Sequence, residues 1–315
     1  MKNFTETPVM TNNSCGILIL NKSGGMTSHD AVNRVRRLYG TKQVGHTGTL
    51  DPMATGVLVM LVGRAVKCAE FFDGKGGIVD SGKSYRAVLR LGIATDTGDI
   101  TGNVTATSDA IPDEDEVLAA IKRFEGDIMQ VPPMYSALKR GGVKLADLAR
   151  KGITIEREPR PVTIHEISAR RITDSDYEID VSCSKGTYIR VLCEDIGQSL
   201  GCFGTMAALE RTSAHGFSIS RSVTLEQLEK LDMTGREAQL IPVTEIFSGL
   251  PKLSLPPFFA RLARSGCEIY LHKIGVRDLS PGDYATLWDN GTMFAVGKVG
   301  EFRNGPAIKP VKQLN

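Results

Sequence analysis

The sequence lacks any apolar stretch that could cross a membrane as a helix. Its longest, ATGVLVMLVGRAV from Ala54, is stopped by Arg64 and falls well short of the roughly 20 residues a bilayer requires, so it reads as buried core. The opening residues, MKNFTETPVMTNNSC, carry one early lysine and no apolar centre, which argues against a secretory signal and for a cytoplasmic protein. The six cysteines, at 15, 68, 183, 193, 202 and 267, include no C-x-x-C pair, so neither structural zinc nor a disulfide scaffold is expected. Five histidines without paired spacing give no reason to expect a metal site. An excess of one charge is missing too: the net charge is +2, too small to announce a polyanionic partner by itself.

What is there is the composition of a globular protein, 41% hydrophobic and 23% charged residues. A chain of 315 residues exceeds one compact domain, so a large and a smaller domain are expected. Charge is unevenly placed. RVRRLYGTKQ, 34 to 43, holds Arg34, Arg36, Arg37 and Lys42 with no acid, and is either a solvated helix face or an RNA-facing patch. PDEDE, 112 to 116, suits the first turn of a helix, where acids complement the dipole.

GILILN, 16 to 21, is a short run of strand type. Thr27 and Ser28 then offer an N-cap to a helix whose stripe is Ala31, Val32, Val35 and Leu38, ending at Gly40. Tyr85, Ala87, Leu89, Leu91 and Ile93 alternate with Arg86 and Arg90, which predicts a strand. Val117, Ala120, Ile121 and Phe124 predict a helix after the acidic cluster, and LADLARKG a short one closed by Gly152. Tyr177, Ile179, Val181 and Cys183 form another alternating strand. SKGTY then turns into a helix with Ile189, Leu192, Cys193, Ile196 and Leu200 on its buried face, leaving Tyr188 and Arg190 off that stripe, free to face a cleft. After about residue 248 the texture changes. LPKLSLPP marks a boundary, and ATLWD and TMFAV around Asn290-Gly291 signal a hairpin, so 250–315 reads as a small β-rich module.

Two stretches raise questions of chemistry. GIVDSGKS, 77 to 84, fits a phosphate loop in its Gly77, Gly82, Lys83 and Ser84, but such a loop follows a strand and opens into a helix. Here a loop-like segment precedes it and period-two residues follow, so nucleotide binding is rejected. The loop GHTGTLDP holds Asp51, the lone acid from Gly45 to Ala69, stiffened by Pro52 behind it. Such a carboxylate either caps a turn or performs chemistry.

GHTGTLDPMATGVL, preceded by GILILNKSGGMTSHDAV and followed by KSYRAVLRLG, VPPMYSALK and CSKGTYIRVL, resembles the bacterial tRNA pseudouridine synthase B family, with the blocks in family order from about 15 to 213. The resemblance implies an α+β fold: a mixed, largely antiparallel sheet in a catalytic domain, 16–248, after an N-terminal extension, 1–15, with a PUA-like RNA-binding module at 250–315. It implies isomerisation of uridine 55 in the tRNA T-loop to pseudouridine, without a cofactor and with no obligate protein partner. By matching motif, Asp51 resembles the catalytic aspartate, with Arg190 facing it and Tyr85 against the base. His46, Lys83, Tyr188 and Leu209 are the implied substrate-binding residues. GKGGIVDSGKSY departs from the family, being longer and richer in glycine than the usual link. A guide-dependent synthase of ribosomal RNA and an RNA-folding module acting on the tRNA elbow are the alternative readings.

Overall fold

Two runs of almost unbroken apolar residues become neighbouring central strands, Gly16–Lys22 and Thr55–Val62, paired antiparallel. They do not alternate because both faces are covered. Leu18, Leu20, Leu58 and Met60 enter one apolar cluster, while Ile17, Ile19, Val57 and Val59 enter another on the opposite side. The computed structural model, which describes residues 14–136 and 138–314, builds this pair into a ten-stranded sheet. The expected extension 1–15 thus lies, apart from Ser14 and Cys15, outside the described residues. Along the main path the order is Val223–Thr224, Gly16–Lys22, Thr55–Val62, Gly204–Ala214, Lys83–Leu91, Asp176–Cys183, Arg160–Arg171 and Gly126–Gln130. The first pair and the pairing of Gly204–Ala214 with Thr55–Val62 are parallel, the remainder antiparallel. The sheet is therefore mixed and largely antiparallel, as expected.

Helices cover one face. Ser28–Leu38 opens with a capping box in which the Asp30 amide donates to Thr27 Oγ1 at 3.1 Å and the Asp30 carboxylate accepts from the Thr27 amide at 3.0 Å. It buries Ala31, Val32 and Val35. Glu114–Lys122 is capped by Asp113, carries three acids in its first turn and ends before Phe124. Ile189–Ser199 buries Leu192, Cys193 and Ile196. The Tyr85 strand corrects one expectation: it stops at Leu91, and Ile93 opens a separate short strand, Ile93–Thr95. Gly92, at φ 84°, breaks the run by turning the chain, its amide donating to Phe203 O. No helix follows Ser84, whose segment enters the strand directly, so the structural context of a phosphate loop is absent there.

The second sheet has five strands, in the order Lys252–Ser254, Tyr284–Asp289, Thr292–Phe302, Gly305–Gln313 and Ile269–Tyr270. Asn290 and Gly291, at φ 47° and 78°, make the expected hairpin turn. Tyr284, Trp288, Met293 and Val296 share an apolar cluster with Phe71, Phe72 and Phe247, so this sheet closes the far face of the central strands. Among the described residues, no helix is long and apolar enough to cross a membrane.

Candidate active site

Asp51 rides on the loop between the short strand Val44–His46 and Thr55–Val62, and that loop is fastened almost residue by residue. The Thr47 amide donates to Val59 O at 3.1 Å. Ser28 Oγ accepts from the Leu50 amide at 2.9 Å and donates to Leu50 O at 3.1 Å. Lys22 Nζ donates to Pro52 O at 3.2 Å and to Ser23 O and Met26 O at 2.9 Å. Arg211 reaches Gly48 O, Thr49 O and Val57 O at 3.1, 3.3 and 2.7 Å. Both cations are buried, and these contacts are all to carbonyls. Burial pulls the Lys22 ammonium down to about 8, with the Asp51 charge opposing. The close approach of the Arg211 strand requires glycine at 56, since a β-carbon there would lie 2.3 Å from Arg211 O. Sequence reading missed Lys22 and Arg211: a cation in a strand or at its end looks the same whether it is solvated or turned inward.

Arg190 leaves the apolar stripe of its helix as expected, yet its guanidinium is buried. Nε donates to Asp51 Oδ2 at 2.9 Å and Nη2 to Asp51 Oδ1 at 3.4 Å. Thr97 O and Tyr135 O accept from Nη1 and Nη2 at 2.9 and 2.7 Å. Asp99, also missed in the sequence, puts Oδ2 3.9 Å from Nε and accepts from the Thr101 amide and Thr97 Oγ1 at 3.0 and 3.1 Å. One guanidinium thus faces two carboxylates. The Asp51 side chain keeps 33% exposure against 9% for Asp99, so Asp51 is the carboxylate a ligand can reach. The two-pronged contact fixes its orientation.

Tyr85 is buried, directly across the strand pair from Arg211. Burial pushes its phenol above the ordinary tyrosine range, Arg211 opposing by charge and hydrogen bond and Asp51 adding to the rise. It is protonated at neutral pH and suits stacking rather than proton abstraction. Lys83 lies beside Arg211, its Nζ 3.5 Å from where a β-carbon on Gly48 would sit. The residue is half-buried, and burial, helped by Arg211, pulls its ammonium down to about 8. His46 is lowered by burial and by Arg211, against a hydrogen bond with the Gly48 backbone. Tyr188 precedes the Arg190 helix, its amide and carbonyl tied to the Gln130 side chain at 3.0 and 3.3 Å. Leu209 packs in the same apolar cluster as Tyr85. Of these seven, Asp51 and Arg190 are joined directly. Tyr85 and Tyr188 feel the Asp51 charge, whereas His46 and Lys83 gather on the Arg211 side.

The fold recurs in a chain of the Cbf5-Nop10-Gar1 complex, with a TM-score of 0.69 and 23% identity over 98% of this chain and 88% of that one. It recurs again in the archaeal box H/ACA sRNP Nop10-Cbf5 complex, with a TM-score of 0.66 and 23% identity over 98% and 89%. Residues 36–189 match the TruB family pseudouridylate synthase (N terminal domain), and residues 190–246 the tRNA pseudouridylate synthase B C-terminal domain. The protein is an isomerase of the pseudouridylate synthase class. The tRNA pseudouridine synthase B of Dechloromonas aromatica (strain RCB) is 43% identical over 289 residues, 87% of this chain and 93% of the relative. That of Burkholderia mallei (strain NCTC 10247) is 41% identical over 275 residues, 87% and 89%. The chain belongs to the TruB family.

Proposed function

We propose that this protein isomerises uridine 55 in the T-loop of tRNA to pseudouridine, with Asp51 as the carboxylate that acts on the nucleoside. The names of its relatives supply tRNA as the substrate class. The observation that carries the catalytic assignment is the Asp51–Arg190 pair, closed on the arginine side and open on the other. The reaction breaks the bond from N1 to C1′ and forms one from C5 to C1′, while a proton leaves C5 and N1 gains one. It involves no redox change and no added atoms, so it calls for no cofactor.

The task of the site is to extract the base, keep it after detachment and hold an ionised carboxylate against the nucleoside. Tyr85 stacks on the flipped base, a contact worth about 1–3 kcal/mol, and Leu209 closes the pocket. Tyr188 lines the side nearest Arg190, and His46 and Lys83 hold the displaced RNA loop from the Arg211 side. Residues 16–248 form the catalytic domain and 250–315 a PUA-like RNA-binding module of a cytoplasmic enzyme that needs no protein partner.

The test is incubation of the purified protein with unmodified tRNA transcript, followed by primer extension after carbodiimide treatment. A carbodiimide-dependent stop one nucleotide 3′ of position 55 is expected. No stop there, or a stop that appears only with a guide RNA or a second protein, overturns the proposal.

A further inference from the structure

The glycine-rich segment 74–82 touches two regions that the proposed chemistry keeps apart. At one end Gly76, at φ 73°, lies against the ring of Tyr284, so close that a β-carbon would sit 2.6 Å from the ring. Ile78 packs in the apolar cluster that holds Tyr284, Trp288, Met293 and Val296 of the second sheet. At the other end the segment is tied to His215. The His215 amide donates to Gly82 O at 3.2 Å, and its Nδ1 lies 3.0 Å from Asp80 O. A carbonyl only accepts, so Nδ1 carries the proton and donates. The Asp80 side chain in turn accepts from the Gly82 amide at 2.8 Å. The very next residue is Lys83, and Tyr85 follows two places on.

His215 is built into this place at a cost. Its φ of 57° is in the left-handed region, uncommon for a residue other than glycine. It is 6% exposed, with its ring edge-on to Phe72 at 5.1 Å and 86°. Burial lowers its basicity against the bond to Asp80 O, and the charges of Lys83 and Arg211 lower it further; that bond keeps the donor on Nδ1. Strain of this kind persists where the surroundings fix it, often at functional sites.

We infer that His215 is a positioning residue, fastening segment 74–82 as a strap that runs from the C-terminal sheet to the strand presenting Lys83 and Tyr85. The inference rests on the reading of Tyr85 as the residue that meets the base. RNA held on the C-terminal sheet and the base held at Tyr85 are then referred to one short segment, and loosening either end misplaces Lys83 and Tyr85 while the contacts of the C-terminal sheet stay in place.

His215→Gly, His215→Asn and Gly76→Ala test this in the full-length enzyme, with single-turnover rates at saturating tRNA, tRNA binding and amide exchange over 78–85. Glycine accepts the backbone angle but deletes the ring bond; asparagine tolerates the same angle and returns a side-chain N–H. The expected result is a loss of about tenfold in single-turnover rate for His215→Gly, the scale of one hydrogen bond, with faster exchange over 78–85 and a much smaller change in affinity than in rate. Asparagine should recover most of the rate, and Gly76→Ala should reproduce the loss from the far end. A His215→Gly enzyme with wild-type rate, a defect confined to affinity, or an asparagine variant no better than glycine overturns the inference. If instead the wild-type enzyme fails to modify tRNA, while His215→Gly still speeds exchange, the proposed function falls and the strap stands.

Discussion

Beneath the Asp51 loop the cations are buried and bonded to carbonyl oxygens, whereas on the C-terminal sheet they are exposed and lie over aromatic rings. Lys22 and Arg211 serve the first region. In the second, Lys252 sits 4.0 Å from the Trp288 ring and Lys298 5.2 Å from Tyr284. A buried cation costs desolvation and is kept where orientation matters, while a surface cation over a ring is worth about 0.5–1 kcal/mol and stays available to an anionic partner. Substitutions in the first region should therefore appear in the chemical step and in folding, and those on basic surface in affinity and its salt dependence.

The sharpest break in that division is at Asp51. Asp51→Asn keeps shape and loses charge, and turnover is expected to fall by about 10⁴-fold or more with tRNA binding retained. Substantial activity in a clean preparation would contradict the assignment. Arg190→Ala comes next. It leaves Asp51 and Asp99 without the cation that both face, so stability should drop by about 3–5 kcal/mol, with a large loss of single-turnover rate. Arg190→Lys keeps the charge but not the fork that reaches Asp51, Thr97 O and Tyr135 O, and should fall between the two. Denaturant titration and rapid-quench kinetics measure both; an Arg190→Ala enzyme near wild type in rate would remove Arg190 as the partner.

Lys22 gives a pH-dependent test of the buried region. Its folded value is about 8 against 10.5 for the free side chain. Between those values the unfolded chain binds more protons, so this group makes stability rise with pH, and its penalty is fully in force below about 8. Wild type should therefore gain on Lys22→Met as pH goes from 8 toward 10.5. The thiols of Cys68 and Cys183, pushed up by burial to about 12 and about 11, act in the opposite sense at high pH but are common to both proteins. Urea midpoints that run parallel through this window would show that Lys22 is not held as described.

Much of the fold was legible because period and caps act locally. Thr27 with Asp30, Asp113 before its acids, and Asn290-Gly291 each fix their element with neighbours in sequence. The Asp51–Arg190 partnership came from motif resemblance, since no local rule joins residues 139 positions apart. Asp99 was hidden in a turn-rich stretch, ATDTGDITG, where aspartate and threonine are expected for their own hydrogen bonds. Arg211 and Lys22 were hidden for another reason. Their destination is decided by which carbonyls the finished loop leaves without a donor, and that depends on the tertiary structure.

The smallest effect concerns the basic cluster, whose sequence allowed either a solvated helix face or an RNA-facing patch. The structure divides it. Arg34 pairs with Glu229, and Arg36 donates to Asn33 Oδ1 and Val44 O, uses that hold the helix in place. Lys42 instead joins Arg64 and Lys67 around a surface pocket of about 270 Å³, with Arg36 at its wall. Arg64 and Lys67 are exposed, so a phosphate could approach them without desolvating a buried group. Lys67→Ala should then weaken tRNA binding only a few-fold at moderate salt and reduce the slope of log K against log salt by about 1. The single-turnover rate at saturating tRNA should stay as it was, because no bond from Lys67 reaches the Asp51 loop in the way that those of Lys22 and Arg211 do. Binding titrations at several salt concentrations decide it. An unchanged slope would make this rim ordinary solvated surface, and a slowed chemical step would mean that surface and buried cations are not divided as the comparison holds.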